Sequence, residues 1–545
     1  MSTQVKLSRE SSLAPSPIDR IDEEAMADNA KCSLRGGPPS FKLASLWEPA
    51  VVNHLNGKSY TIPLFNLRDQ YARNFHLAWL GFFVAFLSWF AFPPLIPEAI
   101  KRDLKLTPAQ IGNSNIAALA STLIVRFLVG PLVDRYGPRK CMAGILILGS
   151  IPSGLAGTVR TAQGLYIIRF FIGILGGTFV PCLAWSTCFF DKSSVGTANA
   201  LVGGWGNLGG GVTFVVMVAL YQALIDRGLT DSQAWRASFA IVPVPILWFV
   251  AGLCLYFGTD HPAGKWSARH TLPATAIAAR QGHFAKLDAA ERSTVERKMR
   301  EKSVATGHVQ AVEEDEEDEA AAETPLDVAI SEPLTLKTLL AIVSKSYTWL
   351  PSLCYMTTFG FELAVDANLA NVLVSDHAKL GQLKAGYYTS TFGFLNVVTR
   401  PFGGWLGDKI YTSKRFGGIR AKKYLTIALG VLQGVISLAY GLYVRHCYST
   451  GTRPDLHTQM GLVALMAIFC EVANGANFAL VPHCNVNSNG VVSGLVGGMG
   501  NLGGIFYAIM FRFHAKHGYN VAWIIAGAFA IGVNLLTVLL RGPKA

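Results

Sequence analysis

The sequence predicts an all-α membrane protein in which twelve transmembrane helices form two pseudo-repeated bundles of six helices. Of its 545 residues, 51% are hydrophobic and only 15% are charged, whereas soluble globular proteins carry about 25% charged residues. The mean hydropathy is +0.34. Apolar segments of about 20 residues, each long enough to cross a bilayer, occur in two groups separated by a long polar insert. Two sequence motifs of the first group recur in the second, which indicates an internal repeat.

The apolar segments of the first group lie at residues 76–96, 112–132, 139–157, 163–185, 196–222 and 236–257. Those of the second group lie at residues 347–370, 382–405, 422–443, 459–482, 492–513 and 520–540. The expected divisions are a cytoplasmic tail (1–75), an N-terminal bundle (76–257), a cytoplasmic central loop (258–346), a C-terminal bundle (347–540) and a short cytoplasmic tail (541–545). We expect the first 50 residues to be flexible, and they show no basic start followed by an apolar core, as a cleavable signal peptide would.

The distribution of basic residues predicts the orientation in the plasma membrane. The net charge is +12, but the basic residues cluster in short loops beside apolar segments, which is the positive-inside pattern and not that of a nucleic-acid-binding protein. One such loop holds Arg135, Arg139 and Lys140. The corresponding loop of the second half holds Lys409, Lys414, Arg415, Arg420, Lys422 and Lys423. Both termini and the central loop are therefore expected in the cytoplasm.

The central loop contains an acidic run at residues 313–319. Such a block is usually solvated, and a plain linker and a regulatory segment are both open interpretations. The nine cysteines lie mostly in apolar runs without CxxC spacing, so we predict neither a metal site nor a cofactor.

The strongest repeat is a glycine-rich string with one asparagine, GGWGNLGG at residues 203–210 and GGMGNLGG at residues 497–504. Each glycine costs a water-exposed helix about 1 kcal/mol relative to alanine, but in a bilayer glycines let helix backbones approach closely. Helix packing alone is one interpretation. The near-identical recurrence favours a functional role, with Asn207 and Asn501 placing amide groups against a ligand.

A second repeat places an arginine eight residues before an aspartate, in RFLVGPLVDR at 126–135 and RPFGGWLGDK at 400–409. A charged side chain at the bilayer centre costs about 2.5–3.5 kcal/mol, which a bound anion in a polar cavity would offset. Guanidinium groups present a planar fork of donors that suits flat oxyanions. Arg126 and Arg400 are therefore the leading anion-binding candidates. The alternative is that each arginine pairs with a carboxylate or caps a helix end.

These motifs resemble those of a known family. The string GPLVDRYGPRK at 130–140 resembles the loop motif of the major facilitator superfamily, and GWLGDK at 404–409 resembles its second-half copy. The paired glycine–asparagine strings resemble the nitrate motif of its nitrate/nitrite porter family. AFLSWFAFPP at 85–94 and GILGGTFVP at 173–181 are further matches, and GKWS at 264–267 is most similar to fungal members. The resemblance covers about residues 60–540 and implies the major facilitator fold.

The resemblance also suggests roles for individual residues. Phe86 and Tyr355 lie where family members sandwich or hydrogen-bond the anion, and Phe359 follows Tyr355 on the same helical stripe, although aromatic stripes often only fill a core. The loop motifs contribute gating candidates. These are Asp134, Arg135, Asp408 and Lys409. Arg169 belongs to a widespread packing or gating pattern. His483, near a span end, is a weaker candidate for titration.

Three acidic residues lie inside apolar segments. Glu362, Asp366 and Glu471 are candidates for carrying a proton, and structural hydrogen bonding is the equal alternative. Importing one anion into a cell that is negative inside costs about 2.3 kcal/mol per 100 mV. Two co-transported protons would let the membrane potential drive uptake. We therefore predict a monomeric, proton-coupled importer of nitrate and nitrite that works by alternating access. A nitrate/nitrite exchanger is the alternative, a nitrate-sensing receptor is less favoured, and no catalytic constellation indicates an enzyme.

Overall fold

A computed structural model describes residues 41–52, 57–191, 193–262, 264–267, 340, 342–413, 418–484 and 489–542. The acidic run of the central loop, the basic residues Lys414 and Arg415, and the first 40 residues lie outside the described residues.

Twelve helical spans follow one another along the described chain, and they confirm the predicted fold class. In the first half they are α1 (Gln70–Trp89), α2 (Pro108–Tyr136), α3 (Pro138–Leu155), α4 (Ala162–Ile172 and Phe179–Phe189), α5 (Val195–Asp226) and α6 (Asp231–Ile241 and Pro243–Phe257). In the second half they are α7 (Ser346–Asp376), α8 (Gly381–Thr412), α9 (Ile419–Ser449), α10 (Leu456–Leu480), α11 (Asn489–Phe513) and α12 (Asn520–Leu536).

Among the described residues, nine of these spans are long and apolar enough to cross a membrane by length and composition. The three that miss this criterion are α1, α7 and α8. Both α7 and α8 carry ionisable side chains that the fold buries, including Glu362 and Arg400 at 2% and 1% exposure. These helices are polar because they line the interior between the two halves.

Residues 50–52 and 57–63, which precede α1, are packed against the N-terminal bundle. Asp69 caps α1 by accepting a hydrogen bond from the Tyr71 amide at 2.7 Å, and it accepts another from the Ala50 amide at 2.8 Å. The Ser59 amide donates to the Phe189 carbonyl at 2.8 Å, and the Asp191 amide donates to the Ser59 carbonyl at 2.9 Å. These main-chain bonds fasten the segment to the end of α4.

The segment after α6 folds back onto the turn between α2 and α3. Trp266, of the family-like GKWS string, donates its indole N–H to the Asp134 carbonyl at 2.9 Å. Asp260 pairs with Arg139, with 3.3 Å between Oδ2 and Nε. Burial raises the pKa of Asp260, and the charge of Arg139 opposes that rise.

The two halves are tied together at the predicted cytoplasmic face by both loop-motif aspartates. Asp134 at the end of α2 accepts hydrogen bonds from the Gly490 and Val491 amides at 3.1 and 3.2 Å, at the start of α11. Asp408 at the end of α8 accepts from the Thr197 amide at 2.6 Å and from its hydroxyl at 2.8 Å, at the start of α5. A carboxylate at a helix N-terminus is favourable because the helix dipole is positive there.

A second set of hydrogen bonds joins the two halves at the opposite face. The amide oxygen of Gln382, at the start of α8, accepts hydrogen bonds from the Glu98 and Ala99 amides at 2.8 and 3.2 Å. These residues follow α1 in a π-helical turn, Ile96–Ile100. Hydrogen bonds therefore join the two halves at both faces.

Glycine makes the closest approach of α5 to α8 possible. A Cβ atom built at Gly211 would lie 3.0 Å from main-chain atoms of Gly393, whereas one at Gly210 would be 3.7 Å from the Phe90 ring. We expect Gly211→Ala to lower the free energy of unfolding by about 1–3 kcal/mol, as overpacking does. Thermal unfolding of the purified protein in detergent, followed by circular dichroism, measures this.

The matched control for this glycine is Gly210→Ala, which adds the same methyl group one residue earlier. It meets only ordinary van der Waals contacts, so we expect a change of about 0.5 kcal/mol or less. Equal unfolding midpoints for the two variants would contradict the close packing of these helices.

Candidate functional site

Arg126, in the middle of α2, has no exposed surface. Its Nε donates to the Gly176 carbonyl at 2.9 Å, and its Nη1 donates to the Gly497 carbonyl at 2.8 Å. A Cβ at Gly497 would stand 3.2 Å from the Arg126 Cδ, so the glycine leaves room for the side chain. The remaining nitrogen, Nη2, is buried without a hydrogen-bond partner among the described residues. A buried cationic donor without a partner is costly, which makes this nitrogen a candidate contact for a ligand.

Arg400, its counterpart in α8, contacts the side chains of three neighbouring residues. Nη2 donates to the Tyr355 hydroxyl at 2.8 Å, and Nη1 donates to the Asn396 amide oxygen at 3.2 Å. Glu362 Oε1 lies 3.6 Å from Nη1, and both side chains are buried. The alternative that each arginine pairs with a carboxylate therefore describes Arg400, whereas Arg126 has no such ion pair within the described chain.

One aromatic ring, that of Phe359, lies near both guanidinium groups. The centroid of the Phe359 ring lies 5.1 Å from the Arg126 Cζ and 5.7 Å from the Arg400 Cζ. The Tyr355 ring stacks on Phe359 with centroids 4.7 Å apart. The Phe179 ring lies 4.4 Å from the Arg126 Cζ. The negative ring faces partly offset the repulsion of the paired cations. The structure thus brings together four predicted residues from α2, α7 and α8.

Glu362 is the centre of an amide network beside Arg400. Its Oε1 accepts from the side-chain amides of Asn207 and Asn396, each at 3.1 Å, and its Oε2 accepts from Asn474 at 2.7 Å. These donors come from three helices, α5, α8 and α10. The asparagine of the first glycine string therefore contacts the acid and not the arginines directly.

Asn501, in the second glycine string, donates from Nδ2 to the Gly497 carbonyl at 3.0 Å. That carbonyl is the one that also accepts from Arg126. A side-chain amide carries two N–H bonds, and this contact uses one of them. A Cβ at Gly500 would lie 2.8 Å from ring atoms of both Phe359 and Tyr355. Gly500 therefore leaves room for the rings of Phe359 and Tyr355.

Phe86 lies one layer away from the arginines. Its ring packs against Phe82 at 4.3 Å between centroids, and Phe82 packs against Phe179 at 5.5 Å. It reaches Arg126 through these two rings, so the structure places it as support for the aromatic wall.

Two predicted acids lie close to the glutamate network. Glu471, in α10, is fully buried and accepts a hydrogen bond from the Thr399 hydroxyl through Oε2, while its Oε1 has no partner among the described residues. Asp366, one turn after Glu362 in α7, is 8% exposed. A Cβ at Gly210 would lie 3.9 Å from its Oδ2.

Arg169 is buried between α4 and α2. Its Nη1 donates to the Ser114 hydroxyl at 2.8 Å and to the Asn115 amide oxygen at 2.5 Å, and its Cζ lies 5.7 Å from the Phe92 ring centroid. Neutral partners hold this charge, and it makes none of these contacts with the central arginines.

The basic residues of the loop motifs are on the surface. Arg135 and Lys409 are exposed and lie over the rings of Tyr136 and Trp405, at 5.3 and 4.6 Å.

Lys422, counted among the loop cations, is instead fully buried in the first turn of α9. Its Nζ donates to Asp408 Oδ1 at 3.2 Å and to the Ala479 carbonyl at 3.0 Å. The His483 ring nitrogen lies 3.2 Å from the same Nζ, and the Tyr411 ring centroid is 4.5 Å away. The lysine reaches inward because the buried carboxylate and carbonyl replace its hydration. His483 thus belongs to this cluster.

Four residues of the site carry no role in the sequence predictions: Phe179, Asn396, Asn474 and Thr399. Phe179 lies within the family-like string at 173–181, which was a usable signal. Asn396 lies four residues before Arg400 on the same helical face, which was another. Asn474 and Thr399 gave none, because polar residues in apolar helices serve packing equally often.

Twelve spans, two internally repeated halves and a buried cationic centre are typical of a membrane transport protein. A sequence profile described as the Major Facilitator Superfamily matches residues 78–508. The chain belongs to the Major Facilitator Superfamily, and its curated relatives, which are named as nitrate and nitrate/nitrite transporters, support the resemblance to the nitrate/nitrite porter family.

Curated relatives extend over most of this chain. The "High-affinity nitrate transporter 2.3" of Oryza sativa subsp. japonica is 27% identical over 93% of this chain and 84% of its own length. The "Nitrate transporter 2.1" of Chlamydomonas reinhardtii is 29% identical over 88% and 76%. The "Nitrate/nitrite transporter NrtP" of Nostoc punctiforme is 27% identical over 82% and 88%.

Proposed function

We propose that this protein imports nitrate, and also nitrite, across the plasma membrane and binds the anion between Arg126 and Arg400. The unpartnered Nη2 of Arg126 beside the Phe359 ring carries the proposal. The names of the relatives support the choice of substrate. Nitrate is small, flat and weakly hydrated, so a dry site with few donors is sufficient to hold it.

The electrostatics of the site favour one anion at a time. Two guanidinium groups face a single ionisable partner, Glu362, which lies 3.6 Å from Arg400. A monovalent anion at Arg126 would balance the second cation. Guanidinium forms charge-assisted, fork-shaped hydrogen bonds with planar oxyanions, and the flat faces of Phe359 and Tyr355 shape the space beside it. Asn207 and Asn501 each retain an N–H bond that can turn to the anion.

Protons supply the driving force in this proposal. Glu362, Glu471 and Asp366 are all buried near Arg400, and so many carboxylates cannot all remain ionised in a dry interior without partners. Glu362 is the first candidate because it contacts Arg400 directly. Its charge can therefore change in step with anion binding. With at least two protons per nitrate, the membrane potential assists uptake.

Alternating access requires the ties between the halves to open in turn. Opening outward breaks the hydrogen bonds from Glu98 and Ala99 to Gln382. Opening inward breaks those that Asp134 and Asp408 accept from the opposite half. In this proposal, a state with both sets of hydrogen bonds formed is the occluded step of the cycle.

Electrophysiology on the expressed protein tests the coupling. We expect nitrate addition at acidic external pH to produce an inward current of positive charge, because two protons exceed the charge of one anion. Removing the proton and voltage gradients should abolish accumulation. Uptake that persists without gradients when nitrite is supplied inside would instead support the nitrate/nitrite exchanger, and an outward or absent net current would contradict proton-coupled import.

A further inference from the structure

A second cationic cavity lies between the two halves at the membrane face that is predicted to be extracellular. Its volume is about 280 Å³, and its walls come from α2, α7, α11 and the turn that follows α1. The polar and aromatic residues that line it are Lys101, Asn368, Asn371, Ser375, Phe511, Arg512 and Tyr519. Lys101 and Ser375 are exposed, so the cavity is reached from solvent.

The positive charge of this cavity is not balanced locally. Among its described lining residues none is acidic, and neither Arg512 nor Lys101 forms an ion pair or a side-chain hydrogen bond with another described residue. The Arg512 Nε is buried without a hydrogen-bond partner in the described chain. α2 also begins on the cavity rim, at Pro108, and its helix dipole adds partial positive charge there.

The nearby acidic residues form ion pairs or hydrogen bonds with residues other than the two lining cations. Glu98 pairs with Arg102 at 3.6 Å, and Asp103 pairs with Arg236 at 2.8 Å. Asp376 accepts from the Tyr448 hydroxyl at 2.6 Å and from the Gln459 amide at 2.7 Å. No described carboxylate forms an ion pair with Lys101 or Arg512, so the lining itself carries two positive charges, which attract anions.

α2 leads inward from this cavity to Arg126. About one turn further along α2 and α7, a small cavity of about 20 Å³, enough for about one water molecule, is lined by Asn115, Arg169 and Ala367. Arg126 lies fourteen residues beyond Gly112 on α2, about 21 Å along the helix axis. The outer cavity is therefore a separate site on the same interface.

We propose that the cavity around Arg512 and Lys101 is an outer binding site for small monovalent oxyanions, which captures nitrate before it reaches Arg126 and Arg400. This inference rests on the proposed nitrate import. The site concentrates the anion at the entrance and sets the apparent affinity. It leaves the rate of the central step unchanged.

The test is the concentration dependence of initial nitrate uptake by the full-length protein. We expect Arg512→Gln to raise the KM about three- to tenfold, because a focused positive field enhances anion capture on the order of tenfold or more, while Vmax stays near wild type. Arg512→Lys keeps the charge and should restore the KM. Arg227→Gln removes an exposed charge at the same face, outside the cavity, and should leave both constants unchanged.

Ionic strength provides a second readout, which would not change the KM if Arg512 served only in packing. Raising it with an impermeant salt should increase the wild-type KM and change that of Arg512→Gln much less, because screening acts on the charge. An unchanged KM in Arg512→Gln, a lower Vmax alone, or no recovery in Arg512→Lys would overturn the outer site while nitrate import stands. An absence of nitrate uptake by the wild type would remove the proposed function and this inference together.

Discussion

Replacing either central arginine by lysine is expected to reduce nitrate uptake by about 10- to 100-fold, the loss of one charge-assisted hydrogen bond at a buried site. Lysine keeps the positive charge but presents three donors around one nitrogen in place of a planar fork. In Arg126→Lys the two bonds to the Gly176 and Gly497 carbonyls cannot be kept while a donor still faces the anion. In Arg400→Lys the contacts to Tyr355 and Asn396 compete in the same way.

Uptake of labelled nitrate by cells with equal surface expression measures this effect, and kcat/KM is the quantity to compare. Arg236→Lys is the matched control, because Arg236 is a partly buried arginine paired with Asp103 at 2.8 Å and lies away from the site. It should transport at close to the wild-type rate. Near-normal transport by both Arg126→Lys and Arg400→Lys would show that neither side chain holds the anion directly, and the proposed site would be lost.

The second large effect is expected for Glu362→Gln. Glutamine has nearly the same shape and can still accept from Asn207 and Asn396, but it cannot gain or lose a proton, and it removes the acidic partner of Arg400. We expect proton-driven accumulation to fall at least about tenfold, to no more than equilibration, because coupling then lacks its titrating group. Exchange of internal for external nitrate should persist, since both arginines remain.

Reconstituted vesicles with an imposed pH gradient separate these two activities. Asp366→Asn and Glu471→Gln are the comparison variants, because each removes one buried carboxyl near Arg400 without breaking the contact between Glu362 and that arginine. Uphill accumulation that survives in Glu362→Gln and disappears in one of the other two would assign proton coupling to that residue instead.

Much of the site was predictable because its main motifs occur in both halves of the sequence. Arg126 and Arg400 stand out since each is an arginine in an apolar helix eight residues before an aspartate. A charge in that environment is costly unless a partner or a ligand stabilises it. The two glycine strings indicated close helix contact, which the structure has at Gly209 and Gly503, where an added Cβ atom would collide with the Phe83 and Met356 carbonyls. Repetition within one sequence provides this information without any comparison to other chains.

The partners of these residues were not predictable in the same way. Nothing in the sequence around Glu362 indicates that Asn207, Asn396 and Asn474 converge on it from three helices. Lys422 sits among surface-like basic residues in the sequence, and yet it is buried against Asp408. Periodicity identifies a helix face, but the neighbour of that face depends on how helices rotate and shift in depth against one another.

Hydrophobic length, charge and repetition are local properties of the chain, and they were enough to predict the membrane class, the twelve spans, the repeated halves and the pair of buried arginines. The three-dimensional packing was needed to show that Arg400 has an acidic partner while Arg126 keeps an unpaired donor, and that one phenylalanine ring contacts both. It also decided that both faces are tied at once. Those features arise from contacts between helices that lie far apart in the chain, and such contacts follow from three-dimensional packing.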